Sequence, residues 1–184
     1  MTRARGNPQT SLRPQDLLVL LRLSLVDENA PSYAELAADL GLTASEVHAS
    51  VARAMLAKLA RKNESGRPAV MLEPLRLFVL HGARYCFPAV RGCVTRGVPT
   101  AHAAPPLRAK IVAPAAELPP VWPFKDGAVR GETLHPLYPS VPAAALRSPA
   151  LYELLALFDA IRAGSPREQA LAVSFLDERW PKGI

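Results

Sequence analysis

Proline placement sets the first limit on how this chain can fold. Of its 19 prolines, 13 fall between positions 73 and 150. A proline inside a helix removes one backbone hydrogen bond and clashes with the preceding turn. That middle stretch therefore cannot hold long helices, and helical structure is pushed to the two ends. The 184 residues are enough for one ordinary domain or two small units sharing a core, and 49% of them are hydrophobic. Such a composition excludes a disordered tail.

The ends do carry helical patterns. Pro14 suits a first helical position, and Leu17, Leu18, Leu21 and Leu25 follow at helical spacing. This apolar run faintly resembles a signal peptide, but Asp16 opens it, Arg22 interrupts it, and no small-x-small cleavage site follows. No run approaches a membrane span. A cytoplasmic protein without membrane contact is the expectation. Ser32 with Glu35, and Thr43 with Glu46, have capping-box spacing, in which each side chain satisfies the other's orphan backbone N–H. Gly41 between them suits a left-handed helix terminus. Leu36, Ala37 and Leu40 face inward on the first of these helices, and Val47, Val51, Met55 and Leu59 on the second. At the other end, Ser148-Pro149 opens a helix that stops near Gly164. Ser165-Pro166-Arg167-Glu168 caps another that stops before Pro181, and the short link makes a C-terminal helical hairpin.

Two capped helices joined by a short glycine turn form a helix-turn-helix unit. The stretch from Tyr33 to Val47, with Ala37 at the crossing, Gly41 in the turn and Val47 locking the second helix, resembles the core of bacterial winged helix-turn-helix transcription regulators. The resemblance covers about residues 12–70. It implies a recognition helix from Thr43 to about Leu59 in the major groove of double-stranded DNA. Thr43, Ala44, Ser45, His48, Ala49 and Ala52 would then face the bases, and Arg53, Arg61 and Lys62 the phosphates. The stretch Lys62-Asn63-Glu64-Ser65-Gly66-Arg67-Pro68 has the turn residues of a wing tip, which would carry Arg67 to the DNA. The strand after it, Ala69 to Leu72, is short, because Glu73-Pro74 restarts a helical pattern. The face departs from strong readers: it has no Asn or Gln and a single Arg, so base readout is modest. A homodimer aligning two recognition helices, through the hairpin or the first helix, is the matching assembly. A helix-turn-helix also serves as a packing or dimerisation module.

The formal charge of +6 is unevenly spread. Residues 1–72 contribute +2, residues 73–150 contribute +5 and residues 151–184 contribute −1. From Pro74 to Ala116 there is no acidic residue, while Arg76, Arg84, Arg91, Arg96, Arg108 and Lys110 lie there beside Tyr85 and Phe87. Of these, Arg84, Arg91, Arg96, Arg108 and Lys110 are candidate contacts to phosphates or to an acidic protein partner. The second option gives the rival reading, an antitoxin or adaptor. Further on, Trp122, Phe124, Leu137 and Tyr138 alternate with prolines, as expected of extended or polyproline segments anchored on a helical core; an exposed Trp122–Tyr138 ridge is the other possibility.

Catalytic and metal chemistry find no pattern. Cys86 and Cys93, with His81 and His102 near, do not have zinc-ligand spacing and read as small buried thiols or, with less support, a redox pair. No phosphate-binding glycine loop or nucleophile elbow is present. No enzyme activity, cofactor or metal is expected. The sequence thus predicts a mainly α fold in three stretches: a winged helix-turn-helix domain over 12–72, a Pro-rich, basic, extended middle over 73–147 packed on the core, and a helical hairpin over 148–184.

Overall fold

The computed structural model describes residues 10–26, 31–111 and 117–180. The fold is mainly helical, with two small sheets. α1 (Pro14–Leu23), α2 (Tyr33–Leu40) and α3 (Ala44–Leu56) come first. They begin where the sequence predicts, at proline or a capping box. A hairpin of β1 (Ala60–Lys62) and β2 (Pro68–Val70) follows, with Arg61 opposite Ala69. The chain then returns to helix through α4 (Leu72–Leu77), a wider turn over Phe78–Gly82, and α5 (Ala83–Cys86). At the C-terminal end, α6 (Val141–Arg147), α7 (Pro149–Ala163) and α8 (Pro166–Arg179) complete the helical layer. Only Gly164 and Ser165 separate α7 from α8, which packs back against it.

The middle stretch, expected to run in extended or polyproline form across the core, is extended in part and pairs into a sheet. Three strands form there: β3 (Arg91–Pro99), β4 (Pro120–Pro123) and β5 (Val129–Leu134). β3 runs antiparallel to both of the others, and β4 lies parallel to β5, closing a small barrel. The prolines do not prevent this because they stand at strand ends, Pro99 closing β3 and Pro120 and Pro123 bounding β4. Closure draws backbones into contact. A Cβ on Gly97 would overlap the Trp122 carbonyl, so glycine is required at that crossing. Trp122 is 1% exposed, which overturns the idea of an exposed aromatic ridge and bears out anchoring; Leu137 is buried with it, and Phe124 and Tyr138 are half-buried.

One hydrophobic cluster runs from Leu17 of α1 to Trp180 after α8, so the three sequence stretches share a core. α1 packs on α7, and α2 on α6. Cross-element ion pairs lock this packing. Arg76, itself buried, joins α4 to α8 through Asp177 at 2.6 Å. Asp159 of α7 is the hub for the barrel. It accepts hydrogen bonds from Thr100 Oγ1 at 2.7 Å and Trp122 Nε1 at 2.6 Å, and from Arg162 Nε at 2.8 Å. Arg162 in turn donates to the His135 carbonyl at 2.8 Å and stacks over Phe158. Every polar member of this buried network has a partner, the condition under which such a network is tolerated.

Candidate nucleic-acid interface

The turn between α2 and α3 is fixed by backbone chemistry. Gly41 adopts a left-handed φ of 65°, and the Leu42 N–H donates to the Ala37 carbonyl at 2.9 Å. Both capping boxes form as read. The Ser32 N–H donates to Glu35 Oε2 at 2.7 Å, and the Thr43 N–H to Glu46 Oε2 at 2.7 Å. The Thr43 N–H and hydroxyl hold the Glu46 carboxyl below the ordinary glutamate range. Two consequences follow for recognition. The Thr43 hydroxyl is committed to its cap, both accepting from the Glu46 N–H and donating to its carboxylate. The N-terminus of α3 also carries its own carboxylate, so an incoming phosphate gains little there.

α3 buries Val47, Ser50, Val51 and Ala54. Of the predicted reading face, Ala44, Ser45, His48 and Ala52 are exposed and Ala49 is half-buried. The His48 ring meets Tyr33 of α2 edge-on, with centroids 5.3 Å apart. Arg53 is a correction. Its guanidinium turns inward to the fully buried Asp16 of α1, with contacts of 2.6 and 2.8 Å, and also donates to Ser50 Oγ at 3.3 Å. The hydrogen bonds it donates to the Asp16 carboxylate raise its pKa above the ordinary arginine value. The physical reason is the one the apolar periodicity hid: a carboxylate at the first turn of α1 points into the helix layer and needs a partner there. Arg53 is therefore a tie between α1 and α3, unavailable to a phosphate. α3 also ends at Leu56, earlier than the predicted Leu59, because Lys58 takes a φ of 59° and Leu59 turns into the core ahead of β1.

The hairpin supplies the cations. Arg61 and Lys62 lie exposed on β1, and Arg67 follows the turn, its N–H donating to Asn63 Oδ1 at 2.9 Å. The basic middle residues are less uniform than the sequence suggests. Arg84 is half-buried, donating to Gln169 Oε1 at 3.3 Å and lying over Tyr85. Arg91 reaches Glu132 at 3.5 Å and the Ala163 carbonyl at 3.2 Å. Arg96, Arg108 and Lys110 are exposed. Arg96 stands directly opposite Arg130 in the β3–β5 register, and neither has an ion pair among the described residues. Sequence reasoning passed over Arg130, since only the strand register reveals the pairing. These strands meet α7 through Trp122 on Asp159 and Arg91 on the Ala163 carbonyl, whereas α6 of the same middle stretch packs on α2, with Arg147 donating to the Asp39 carbonyl at 2.7 Å. Cys86 and Cys93 are both free and exposed, which corrects their reading as buried thiols. His81 is exposed, and His102 pairs instead with Glu168 at 3.0 Å. Among the described residues no three His, Cys, Asp or Glu side chains converge on one point. No described helix is long and apolar enough to cross a membrane.

No protein-family model, no curated protein and no solved structure matches this chain.

Proposed function

We propose that this chain is a DNA-binding transcription regulator of the winged helix-turn-helix type, in which α3 enters the major groove and the β1–β2 hairpin acts as a short wing. The observation that carries the reading is the juxtaposition of a doubly capped helix pair with an exposed basic hairpin immediately after it. Ser45 and His48 are the polar groups on the reading face, and exposed alanines complement thymine methyls, so base discrimination is modest. Arg61, Lys62 and Arg67 supply phosphate contacts in place of Arg53. A homodimer with two α3 helices about 34 Å apart is the matching assembly.

The test is fluorescence anisotropy with mixed-sequence duplex DNA over a salt series. Binding falls as salt rises, and Arg61→Gln and Lys62→Gln each reduce the slope of log K against log salt by about 1. Absence of binding at low salt, or an unchanged slope in both variants, overturns the proposal. A second reading, an acidic protein partner on the barrel, is favoured by the unneutralised Arg96–Arg130 pair. Co-purification of a stoichiometric acidic protein, lost on Arg96→Glu, would support it.

A further inference from the structure

The apolar stripe of α3 extends past the core onto the outer face of the helix. There the polar His48, Val51 and Met55 from the edge of the core, and the exposed Ala52 and Leu56 follow at i, i+3, i+7, i+4 and i+8, and with Tyr33 they line a groove of about 750 Å³. Val51 forms its floor, while Leu56 is 72% exposed at its mouth. A helix that is apolar on its outer as well as its inner face is ordinarily covered by something. DNA is a poor cover for the C-terminal half: a phosphate backbone set against Leu56 and Met55 gains no burial in return for its own desolvation.

The rim identifies a better occupant. Lys58 and Lys62 both line the groove, are exposed, and have no ion pair among the described residues. The left-handed backbone at Lys58 places this cation right after the helix end instead of continuing α3 away from the groove. An apolar floor about 12 Å long, bordered by cations at one end, complements an amphipathic helix with apolar residues at i, i+3, i+4 and i+7 and carboxylates beside them.

We infer that the outer groove of α3 is the docking site of an acidic amphipathic helix from a partner protein. Docking covers His48 and Ala52, which the proposed DNA reading also uses, so the partner and DNA exclude each other. The docking itself is independent of that reading, and only its regulatory consequence rests on it.

The experiment uses the full chain and two labelled helix-forming peptides of about 18 residues, built on the same leucine stripe. One carries Glu along the flanks of the stripe and its twin carries Lys. The Glu peptide binds and the Lys peptide binds at least about tenfold more weakly. Leu56→Ser, at an exposed position that leaves thermal unfolding unchanged, weakens the Glu peptide by about tenfold or more. Lys58→Glu with Lys62→Glu reverses the preference toward the Lys twin. Equal binding of both peptides, binding indifferent to Leu56→Ser, or no binding of the Glu peptide overturns the inference. So does a concentration-dependent dimer of the free chain that Leu56→Ser abolishes, since a second copy is then the occupant. Adding duplex DNA forms a separate arm, in which displacement of the peptide supports mutual exclusion. If the duplex never binds, the peptide titration still decides the docking, and the two readings fail separately.

Discussion

Removing one partner of the Asp16–Arg53 pair tests whether Arg53 is structural or a phosphate contact. Asp16 is fully buried and receives three hydrogen bonds, from the Arg13 N–H at 2.9 Å and from Arg53 at 2.8 and 2.6 Å. Asp16→Ala leaves a guanidinium that is only 13% exposed with one long bond to Ser50. Breaking a buried pair in this way costs about 3–5 kcal/mol. That is a large share of the roughly 5–15 kcal/mol that holds a typical domain. For a chain of this size it corresponds to a fall in Tm of about 6–20 °C. Arg53→Met strands a carboxylate instead and costs a similar amount. Replacing both, Asp16→Leu with Arg53→Met, restores an apolar contact of similar volume and returns stability to within about 1 kcal/mol of the parent, or above it. Urea unfolding followed by fluorescence reads the parent and all three variants, because Trp122 and Trp180 are 1% and 2% exposed and report loss of the core. The double variant is then titrated with duplex DNA, and its salt slope matches the parent's. Single-variant losses below about 1 kcal/mol, the range of exposed pairs, would refute the argument. A slope reduced by about 1 in the stable double variant would return Arg53 to the phosphates.

Three further outcomes follow from the packing. Asp159→Ala removes the shared acceptor of Thr100, Trp122 and Arg162, and lowers stability by about 3–5 kcal/mol, with Trp122 emission shifting to the red in urea titrations at lower denaturant. Arg130→Glu converts a like-charge cross-strand pair with Arg96 into an attractive one and raises the urea midpoint, by about 0.2–1 kcal/mol in free energy. Burial pushes the Tyr152 phenol up to about 12, so its contribution to stability is complete below about pH 10, the unfolded value, and is lost as pH climbs through 12. The difference in tyrosinate absorbance between the parent and Tyr152→Phe therefore has its midpoint near 12; a midpoint near 10 would contradict the burial.

The helices were legible because their signals are local. Pro14, Pro149 and Pro166 at first helical positions, and the Ser–Glu and Thr–Glu caps, act within one turn and need no tertiary partner. The barrel was not legible for the complementary reason. β3 pairs with β4 across more than twenty intervening residues, and β4 meets β5 only over Pro120–Glu132 and Val121–Thr133, so no short-range pattern marks the register. Proline frequency points to extended or polyproline segments, and the placement of prolines at strand ends reconciles it with a sheet. The site was half legible. Spacing located α3 and its exposed positions, but the inward turn of Arg53 depends on a carboxylate 37 residues earlier in the chain. The outer groove is not legible because helical spacing places Met55 on the buried stripe, whereas the packing leaves it half-buried beside an exposed Leu56.

That same pairing logic changes what the net charge means. By sequence count the first 72 residues carry +2 and the middle +5, which places the basic excess away from the helix pair. In the fold, Arg76 pairs with Asp177 and Glu73 and Arg91 with Glu132, while Arg96, Arg108, Lys110 and Arg130 of the middle have no ion pair among the described residues. In the first region Asp16 and Asp39 are bound to Arg53 and Arg22, and Glu35 and Glu46 fold back onto their own helix starts. Of the described acids there, Glu64 alone stands in the hairpin, exposed in the turn between β1 and β2. Lys58, Arg61 and Lys62 remain together at the far end of α3, without an ion pair among the described residues. A field made by cations that no neighbouring carboxylate neutralises is the one a polyanion or an acidic helix meets first. Local pairing therefore leaves two unneutralised sets of cations among the described residues, Lys58, Arg61 and Lys62 beside α3 and Arg96 with Arg130 on the barrel, and the first of them borders an apolar groove.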